Sequence, residues 1–298
     1  MKRFAIGLLL LATGLSVHAD LRVFATVPEW GALAREIGGD KVKIYFATHA
    51  FQDPHRIEAK PSLLAQARQA QLLVAAGADL EVGWLPLVLR DSGNPAIQPG
   101  RPGYFEAAAF VNRLEVPATL DRAHGDVHAA GNPHTHLDPR NVLKVGEKLA
   151  ARMAELDPAN AAAYQAGLAA FAGKWQAAMV RWEKEAAPLK GVAVLVHHQS
   201  FVYLSNWLGM KEVGALEPKP GIEPTSGHLT ALVSRQQTAP ARMVLRTAYQ
   251  QEGPSQWIAG KAGVPAVLLP YTVGGTPEAK DLSGLFDDTV QRLLKGVR

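Results

Sequence analysis

Short apolar segments alternate with amphipathic segments through the first hundred residues. Three of them are rich in β-branched and aliphatic residues and are bounded by turn residues, which predicts strands at 21–27, 42–46 and 72–76. In the intervening segments apolar residues recur at three- and four-residue steps, which predicts helices at 30–37, 63–70 and 80–89. The alternation of strand and helix predicts an α/β domain with a mainly parallel sheet.

The same pattern returns in the second half of the chain. Strands are predicted at 192–196, 243–247 and 264–269, and helices at 201–208, 226–234, 255–262 and 282–294. A helix at 141–156 and a second, much longer one at 159–187 lie between the two halves. At 1.5 Å per residue the longer helix would extend about 40 Å. Its regularly spaced aromatic residues, among them Trp175 and Trp182, indicate a buried stripe.

These elements predict two parallel-sheet α/β domains joined by one long rigid helix. The boundaries we expect are a signal peptide at 1–19, a first domain at 20–156, the linker helix at 157–188 and a second domain at 189–298. In parallel sheets, sites form in the loops at the carboxyl ends of the strands. We therefore expect the functional residues to lie in those loops.

Composition narrows the possible functions. Hydrophobic residues make up 48% of the 298 residues and the net charge is only +4, so the chain can build a large core and offers no basic surface for nucleic acid. There is no cysteine, which excludes thiolate metal sites, disulfides and a lipid-anchoring thiol. Lys2 and Arg3, an apolar stretch at 4–15 and the sequence Val17-His18-Ala19 are typical of a cleaved secretory signal. We expect a mature protein beginning near Asp20, located in the periplasm, with no lipid anchor and no transmembrane segment.

Histidines provide the candidate chemistry. Four of the ten lie in the loop 121–140, and others follow predicted strands. His55, His134 and either His197 or His198 fall at strand ends or in turns, the first two in one domain and the third in the other. Neutral imidazole is the commonest metal ligand, and three of them leave a coordination position open. Their separations of 79 and 64 residues match no local zinc signature, so the residues alone leave this set open.

Four motifs in order give the chain a resemblance to a known family. They are Asp53-Pro54-His55 with Pro61-Ser62, Asn132-Pro133-His134 with Leu137-Asp138-Pro139, His198-Gln199-Ser200-Phe201, and Glu217-Pro218-Lys219-Pro220-Gly221-Ile222 with His228-Leu229. In this order, around a long helix, they resemble the solute-binding proteins of zinc and manganese ABC importers. The resemblance covers essentially the whole chain after the signal segment.

That resemblance implies a function and a ligand set. It implies that His55, His134 and His198 hold a metal in the interdomain cleft, and that the protein is not an enzyme. The protein would capture Zn²⁺ and deliver it to a cognate ABC permease and ATPase, acting as a monomer, with Mn²⁺ a less suitable ligand. Because imidazole must be neutral to bind, metal affinity should fall below a pH of about 6.5.

The remaining histidines receive other interpretations. His197 is expected to be a neighbour of the site, and His49 and His228 structural. His136 stands where relatives often have Trp, and its contact with metal is left open. His124 and His128 resemble a shortened form of the His-rich loop of zinc-binding members, either an outer collecting arm or a solvated loop.

The chain also departs from the family pattern. Many relatives carry a carboxylate ligand after the last strand of the second domain, whereas residues 268–271 contain no acid here, and Ala248-Tyr249 stands where a Glu-Pro is typical. The fourth ligand could be water or an acid such as Asp281. The loss of acids favours zinc over manganese, because imidazole suits zinc and oxygen ligands suit manganese.

Two other functional classes stay open at the level of sequence. Three histidines with an open position can lower the pKa of a zinc-bound water to about 7, which is the chemistry of a zinc hydrolase or lyase. A metal-dependent adhesin or a periplasmic zinc chaperone would share the site and differ in its partner.

Overall fold

The computed structural model describes residues 20–117 and 128–298, which build two four-stranded parallel sheets. The strand order is β2-β1-β3-β4 in the first sheet and β6-β5-β7-β8 in the second, so the two halves share one topology. All six strand pairings are parallel. The predicted fold of two parallel-sheet α/β domains and a long helix is confirmed.

The first sheet is a buried layer with helices packed on it. Its strands are β1 (Leu21–Ala25), β2 (Val42–Phe46), β3 (Leu72–Ala75) and β4 (Tyr104–Glu106). Its helices are α1 (Pro28–Gly38), α2 (Pro61–Gln69), α3 (Leu85–Ser92) and α4 (Pro139–Leu156). Every residue of β3 is buried, as expected of a strand covered on both faces. All four helices have proline in the first turn, where its fixed φ suits the helix and its missing N–H has no helical partner.

The second sheet is built in the same way. Its strands are β5 (Ala193–Val196), β6 (Lys211–Ala215), β7 (Met243–Arg246) and β8 (Ala266–Leu268). Its helices are α6 (Val202–Leu208), α7 (Ser226–Arg235), α8 (Glu252–Ala262) and α9 (Leu282–Gly296). Thr225 caps α7 by accepting a hydrogen bond from His228 N. Left-handed glycines, Gly209 and Gly263, end α6 and α8.

The long helix α5 (Ala161–Glu185) connects the halves and is part of their common core. Its 25 residues extend about 37 Å. Trp175 and Trp182 are 1% and 0% exposed, and both rings contact Phe286 of α9. Gly167 lets α5 cross the end of α1, because a Cβ there would lie only 2.1 Å from the carbonyl oxygen of Ile37. The helix is therefore buried against elements of both domains.

The sequence prediction misses two strands and misplaces one helix start. Strand β4 is only three residues long and follows a Pro/Gly-rich loop, and β6 contains Gly214 and little apolar periodicity. Residues 80–84 form turns instead of the first turn of α3. The chain reverses there because Ala78 and Asp79 have positive φ, and the buried carboxylate of Glu81 accepts the N–H of Gly77.

Within the described ranges, every helix is too short or too polar to cross a lipid bilayer.

Candidate metal centre

Three imidazoles converge where the carboxyl ends of the two sheets face each other. His55 follows β2, His134 precedes α4, and His198 lies two residues beyond β5. One nitrogen from each lies within 4.8 Å of the others, and the ring centroids are 5.4 to 5.5 Å apart. Among the described residues, these three form the group of His, Asp and Glu side chains that could hold a metal. The structure thus brings together the three predicted ligands.

Asp53 orients the His55 imidazole. Its Oδ1 lies 2.7 Å from His55 Nδ1 and also accepts a hydrogen bond from the His55 backbone N at 3.0 Å. Burial raises the pKa of Asp53, but the hydrogen bond and charge of His55 outweigh it and leave this pKa below its usual value. Trp84 fixes the same loop by donating its indole N–H to Pro54 O at 2.9 Å. His55 Nε2 is left buried without a hydrogen-bond partner.

His134 is held by the second domain, although it belongs to the first. Its Nδ1 lies 2.8 Å from the hydroxyl oxygen of Tyr271, and its backbone N donates to Asn132 Oδ1. The ring is 1% exposed, and its Nε2 has no hydrogen-bond partner. Burial, together with the neighbouring imidazoles, lowers the pKa of His134 well below 6.5. His134 is therefore neutral and able to donate a lone pair at physiological pH.

Glu217 orients the third imidazole. Its Oε2 lies 2.7 Å from His198 Nδ1 and also accepts the backbone N–H of Gly221 at 2.8 Å. The acid comes from the loop after β6, next to the strand that carries His198. The carboxylate and imidazole thus form a histidine–carboxylate pair like that of His55.

The hydrogen bonds of the three Nδ1 atoms determine which nitrogens are left to bind a metal. When each Nδ1 donates its N–H to the bonded oxygen, Nε2 carries the lone pair that a metal can accept. Zn²⁺ binds imidazole nitrogen at about 2.0–2.1 Å in a tetrahedral arrangement, so bound nitrogens lie about 3.3 Å apart. A modest inward movement of the three rings would reach that spacing. The site fits a divalent cation that prefers nitrogen ligands.

His136 belongs to a neighbouring buried network. Its Nε2 lies 2.8 Å from Tyr271 O, and its Nδ1 lies 3.2 Å from Glu29 Oε1. The Glu29 carboxylate also accepts the hydroxyl of Thr272 at 2.6 Å. His136 and Glu29 are 2% and 1% exposed. The network attaches the loop after β8 to the first domain, and the His136 ring is not part of the metal-binding group.

Other candidate residues from the sequence lie outside the cluster. His197 is buried at the end of β5, and burial lowers its pKa to about 4. His228 Nε2 lies 2.9 Å from Ala215 O. His49 Nδ1 accepts the backbone N–H of Phe51 on the surface. Asp281 caps α9, since its carboxylate accepts the N–H of Gly284 at 2.7 Å. This carboxylate is not in the metal-binding group.

His128 lies next to the cluster, and not at a distance from it as expected of an outer collecting arm. Its ring centroid is 5.4 Å from that of His55, with the planes inclined by 27°. It lines two cavities that open on the cluster, one of about 260 Å³ beside Asp53 and one of about 240 Å³ beside Glu115. His124, the other histidine of the predicted arm, lies outside the described residues.

Sequence reasoning did not assign the residues that orient the ligands. Asp53 and Glu217 both occur in the recognised motifs, two residues before His55 and at the start of the Glu-Pro-Lys-Pro-Gly loop. An acid next to a histidine ligand in a loop was the available signal for Asp53. Nothing local marks Tyr271, which is 137 residues from His134 in sequence.

Fold and site together define a class. Extracytoplasmic metal-binding proteins of ABC importers have this architecture: two parallel-sheet domains joined by a long helix, with candidate metal ligands from both domains at the cleft. The chain belongs to the family described as ZnuA, zinc-uptake complex component A, periplasmic, whose family profile matches residues 23–296. This is a family of transporter binding proteins and not of enzymes, as the sequence predicted.

Individual relatives are distant. The chain is 26% identical over 189 residues to the metal ABC transporter substrate-binding lipoprotein ScbA of Streptococcus cristatus, a match that covers 59% of this chain and 58% of that one. It is 21% identical to the manganese ABC transporter substrate-binding lipoprotein PsaA of Streptococcus pneumoniae, covering 89% and 85%. A crystal structure of ZnuA superposes with a TM-score of 0.77 at 23% identity, covering 94% of this chain and 100% of that one, which shows a common fold.

Proposed function

We propose that the protein captures Zn²⁺ outside the cytoplasm and delivers it to a cognate ABC permease and ATPase. His55, His134 and His198 are the proposed ligands. The observation that carries the proposal is the convergence of three imidazoles, each with Nδ1 bonded to an oxygen and with one nitrogen from each within 4.8 Å of the others. This arrangement orients three nitrogen ligands before metal arrives.

The donor set favours zinc over manganese. The group of potential ligand atoms within the described residues contains imidazole nitrogens only. The two nearest acids, Asp53 and Glu217, direct an oxygen at a histidine Nδ1. Mn²⁺ prefers carboxylate and carbonyl oxygens, whereas imidazole suits Zn²⁺. The family is described by zinc uptake, while PsaA is named for manganese, so the argument for zinc comes from this chain's own ligands.

We further propose a monomer in the periplasm without a lipid anchor. ScbA and PsaA are named as lipoproteins. The present chain contains no cysteine, the residue to which such lipids are attached.

We also propose the domain limits expected from the sequence, with 157–188 as the linker helix.

Calorimetric titration with Zn²⁺ and with Mn²⁺ tests the function. We expect one tight zinc site, weaker manganese binding, and loss of the tight site in a His134→Ala variant, because that imidazole is one of the three proposed ligands. His228→Ala is the matched control, since His228 is bonded to Ala215 O away from the cluster. A His134→Ala protein with unchanged zinc stoichiometry and affinity would refute the proposal.

A further inference from the structure

A fourth imidazole lies at the same centroid distance from His55 as the two other proposed ligands, although its ring is stacked on His55 and theirs are edge-on. The His128 ring centroid is 5.4 Å from that of His55, and the centroids of His134 and His198 are also 5.4 Å from it. Rings bound through nitrogen to one tetrahedral zinc ion have centroids about 5.2 Å apart, given a metal–nitrogen distance of about 2.0–2.1 Å. The centroid separation of His128 from His55 is thus compatible with binding of both rings to one ion.

The backbone beside His128 is attached to both domains. The N–H of Ala130 donates to Asp79 Oδ2 at 3.2 Å, which fixes the turn to the loop after β3. The side chain of Asn132 donates to Gln199 O at 2.8 Å, next to His198. These contacts place His128 at the cleft through described residues alone.

The position of His128 relative to the cavities is also that of a ligand. It lines the cavity of about 260 Å³ together with His55 and His198, and the cavity of about 240 Å³ together with His134 and His198. These two cavities are the sides of the cluster that the three converging rings leave open. His128 therefore lies where a fourth ligand would approach the ion.

Three oxygen groups beside the cluster already bond the proposed ligands. Tetrahedral zinc with three protein ligands keeps one position open. The hydroxyl of Tyr271 is bonded to His134, and the carboxylates of Asp53 and Glu217 are bonded to His55 and His198.

We propose that His128 is the fourth metal ligand and closes an all-imidazole site. The inference rests on the proposed function, since it uses the same cluster. The nitrogens of His128 lie outside the group that is mutually within 4.8 Å, so binding requires this imidazole to turn toward the other three. A fourth nitrogen in place of water or a carboxylate strengthens the preference for zinc over manganese.

Zinc affinity gives the first test. We expect His128→Ala to bind zinc at least about tenfold more weakly than the wild-type protein. Removal of a residue that only orients a ligand already weakens metal binding by about tenfold or more. His49→Ala is the control, because His49 is an exposed histidine outside both cavity linings. Equal zinc affinity of the His128→Ala and His49→Ala proteins overturns the inference.

The absence of cysteine from the chain permits a direct test of contact. A thiolate bound to Co²⁺ gives a near-ultraviolet charge-transfer band, and each single cysteine variant carries the protein's one thiol. We expect the band in cobalt-loaded His55→Cys and His128→Cys proteins and not in His49→Cys. A band for His55→Cys without one for His128→Cys overturns ligation by His128 and leaves the three-His site standing. No band in either protein, with no zinc binding by the wild-type chain, overturns both proposals.

Discussion

Each proposed ligand is oriented by a different residue, and one of the three differs in chemistry. Asp53 and Glu217 are carboxylates bonded to His55 and His198, whereas Tyr271 presents a phenol to His134. Burial raises the pKa of Tyr271 well above 10, so its hydroxyl is neutral. It has a positive φ of 61°, an uncommon conformation for a large side chain. Tyr271 therefore fixes the His134 imidazole without adding charge to the site.

Removal of that hydroxyl should weaken metal binding. We expect Tyr271→Phe to reduce zinc affinity by about 10- to 100-fold, because His134 loses the bond that fixes its tautomer and ring orientation. Titration calorimetry measures the change. Tyr104→Phe is a matched control, since it removes a hydroxyl bonded to Glu106 Oε1 at 2.7 Å, outside the two cavities that His128 lines. Equal affinities of the two variants would show that Tyr271 does not position the ligand.

Glu81 is a buried acid that affects stability instead of binding. It accepts hydrogen bonds from Thr26 Oγ1 and from the N–H groups of Ala76 and Gly77, which ties the ends of β1 and β3 together. Burial nevertheless raises the pKa of Glu81 to about 7, since the three hydrogen bonds offset only part of the desolvation. Between a pH of 4.5, the ordinary pKa of a glutamate side chain, and a pH of about 7, Glu81 is therefore protonated in the folded protein and ionised in the unfolded chain.

This proton links stability to pH. The contribution of Glu81 is fully present below pH 4.5 and is lost as pH rises through about 7, with a total on the order of 3 kcal/mol. Between pH 5 and pH 8, we expect the unfolding free energy of the wild-type apoprotein to fall relative to that of Glu81→Gln. Urea unfolding at both pH values measures the difference. Glu58→Gln, at an exposed acid, should follow the wild-type protein; a wild-type curve parallel to Glu81→Gln would contradict the prediction.

At the scale of elements, α5 is held by aromatic contacts and not by its own amphipathicity. The Trp182 ring lies 5.0 Å from Phe286 in a stacked arrangement, and its indole N–H donates to Asp287 Oδ1 at 2.6 Å. Trp175 contacts the same ring and donates its N–H to Pro139 O. The two tryptophans thereby connect α5 to α9 of the second half and to the start of α4 in the first.

Truncation at this junction should be costly. Trp182 is fully buried, so Trp182→Ala leaves a large cavity and removes the indole partner of Asp287, and we expect a loss of about 3–5 kcal/mol in the unfolding free energy. Val180→Ala on the same helix is the control, because Val180 is 69% exposed and its change should stay within about 0.5 kcal/mol. Chemical denaturation of both proteins checks the difference. A loss at Trp182 as small as that at Val180 would show that α5 is not part of the core.

At the scale of the whole molecule, the metal cluster and the buried network join the same two halves. His55 and His134 come from one half and His198 from the other, while Glu29 of α1 bonds Thr272 beyond β8. Arg56 adds a surface contact by donating to Gly221 O at 2.9 Å across 165 residues of sequence. A metal bound by all three histidines would therefore resist separation of the domains.

Zinc should accordingly stabilise the folded protein as a whole. At a free zinc concentration about 100 times Kd, we expect a gain of about 2.7 kcal/mol in the unfolding free energy, reversed by a chelator. His55→Ala and His198→Ala should each abolish the gain, because each removes a ligand from a different half. Thermal unfolding with and without zinc measures it. A zinc-dependent shift that persists in His198→Ala would place the ion within the first half alone.

Local pattern determined much of this protein by itself. The apolar periodicity predicted the long helix and six of the eight strands described, because a buried strand and an amphipathic helix each depend on neighbouring residues. The short edge strand β4 and the glycine-containing β6 were missed because pairing with other strands, and not local pattern, makes them strands.

The site divides in the same way between sequence and tertiary structure. The candidate ligands could be proposed from the sequence because imidazoles at strand ends are a local signal, and motif resemblance chose His198 over His197. What only the tertiary structure decided is which side chains orient them. Tyr271 reaches His134 and His128 reaches His55 through packing of loops from different parts of the chain, and no spacing along the sequence encodes those contacts.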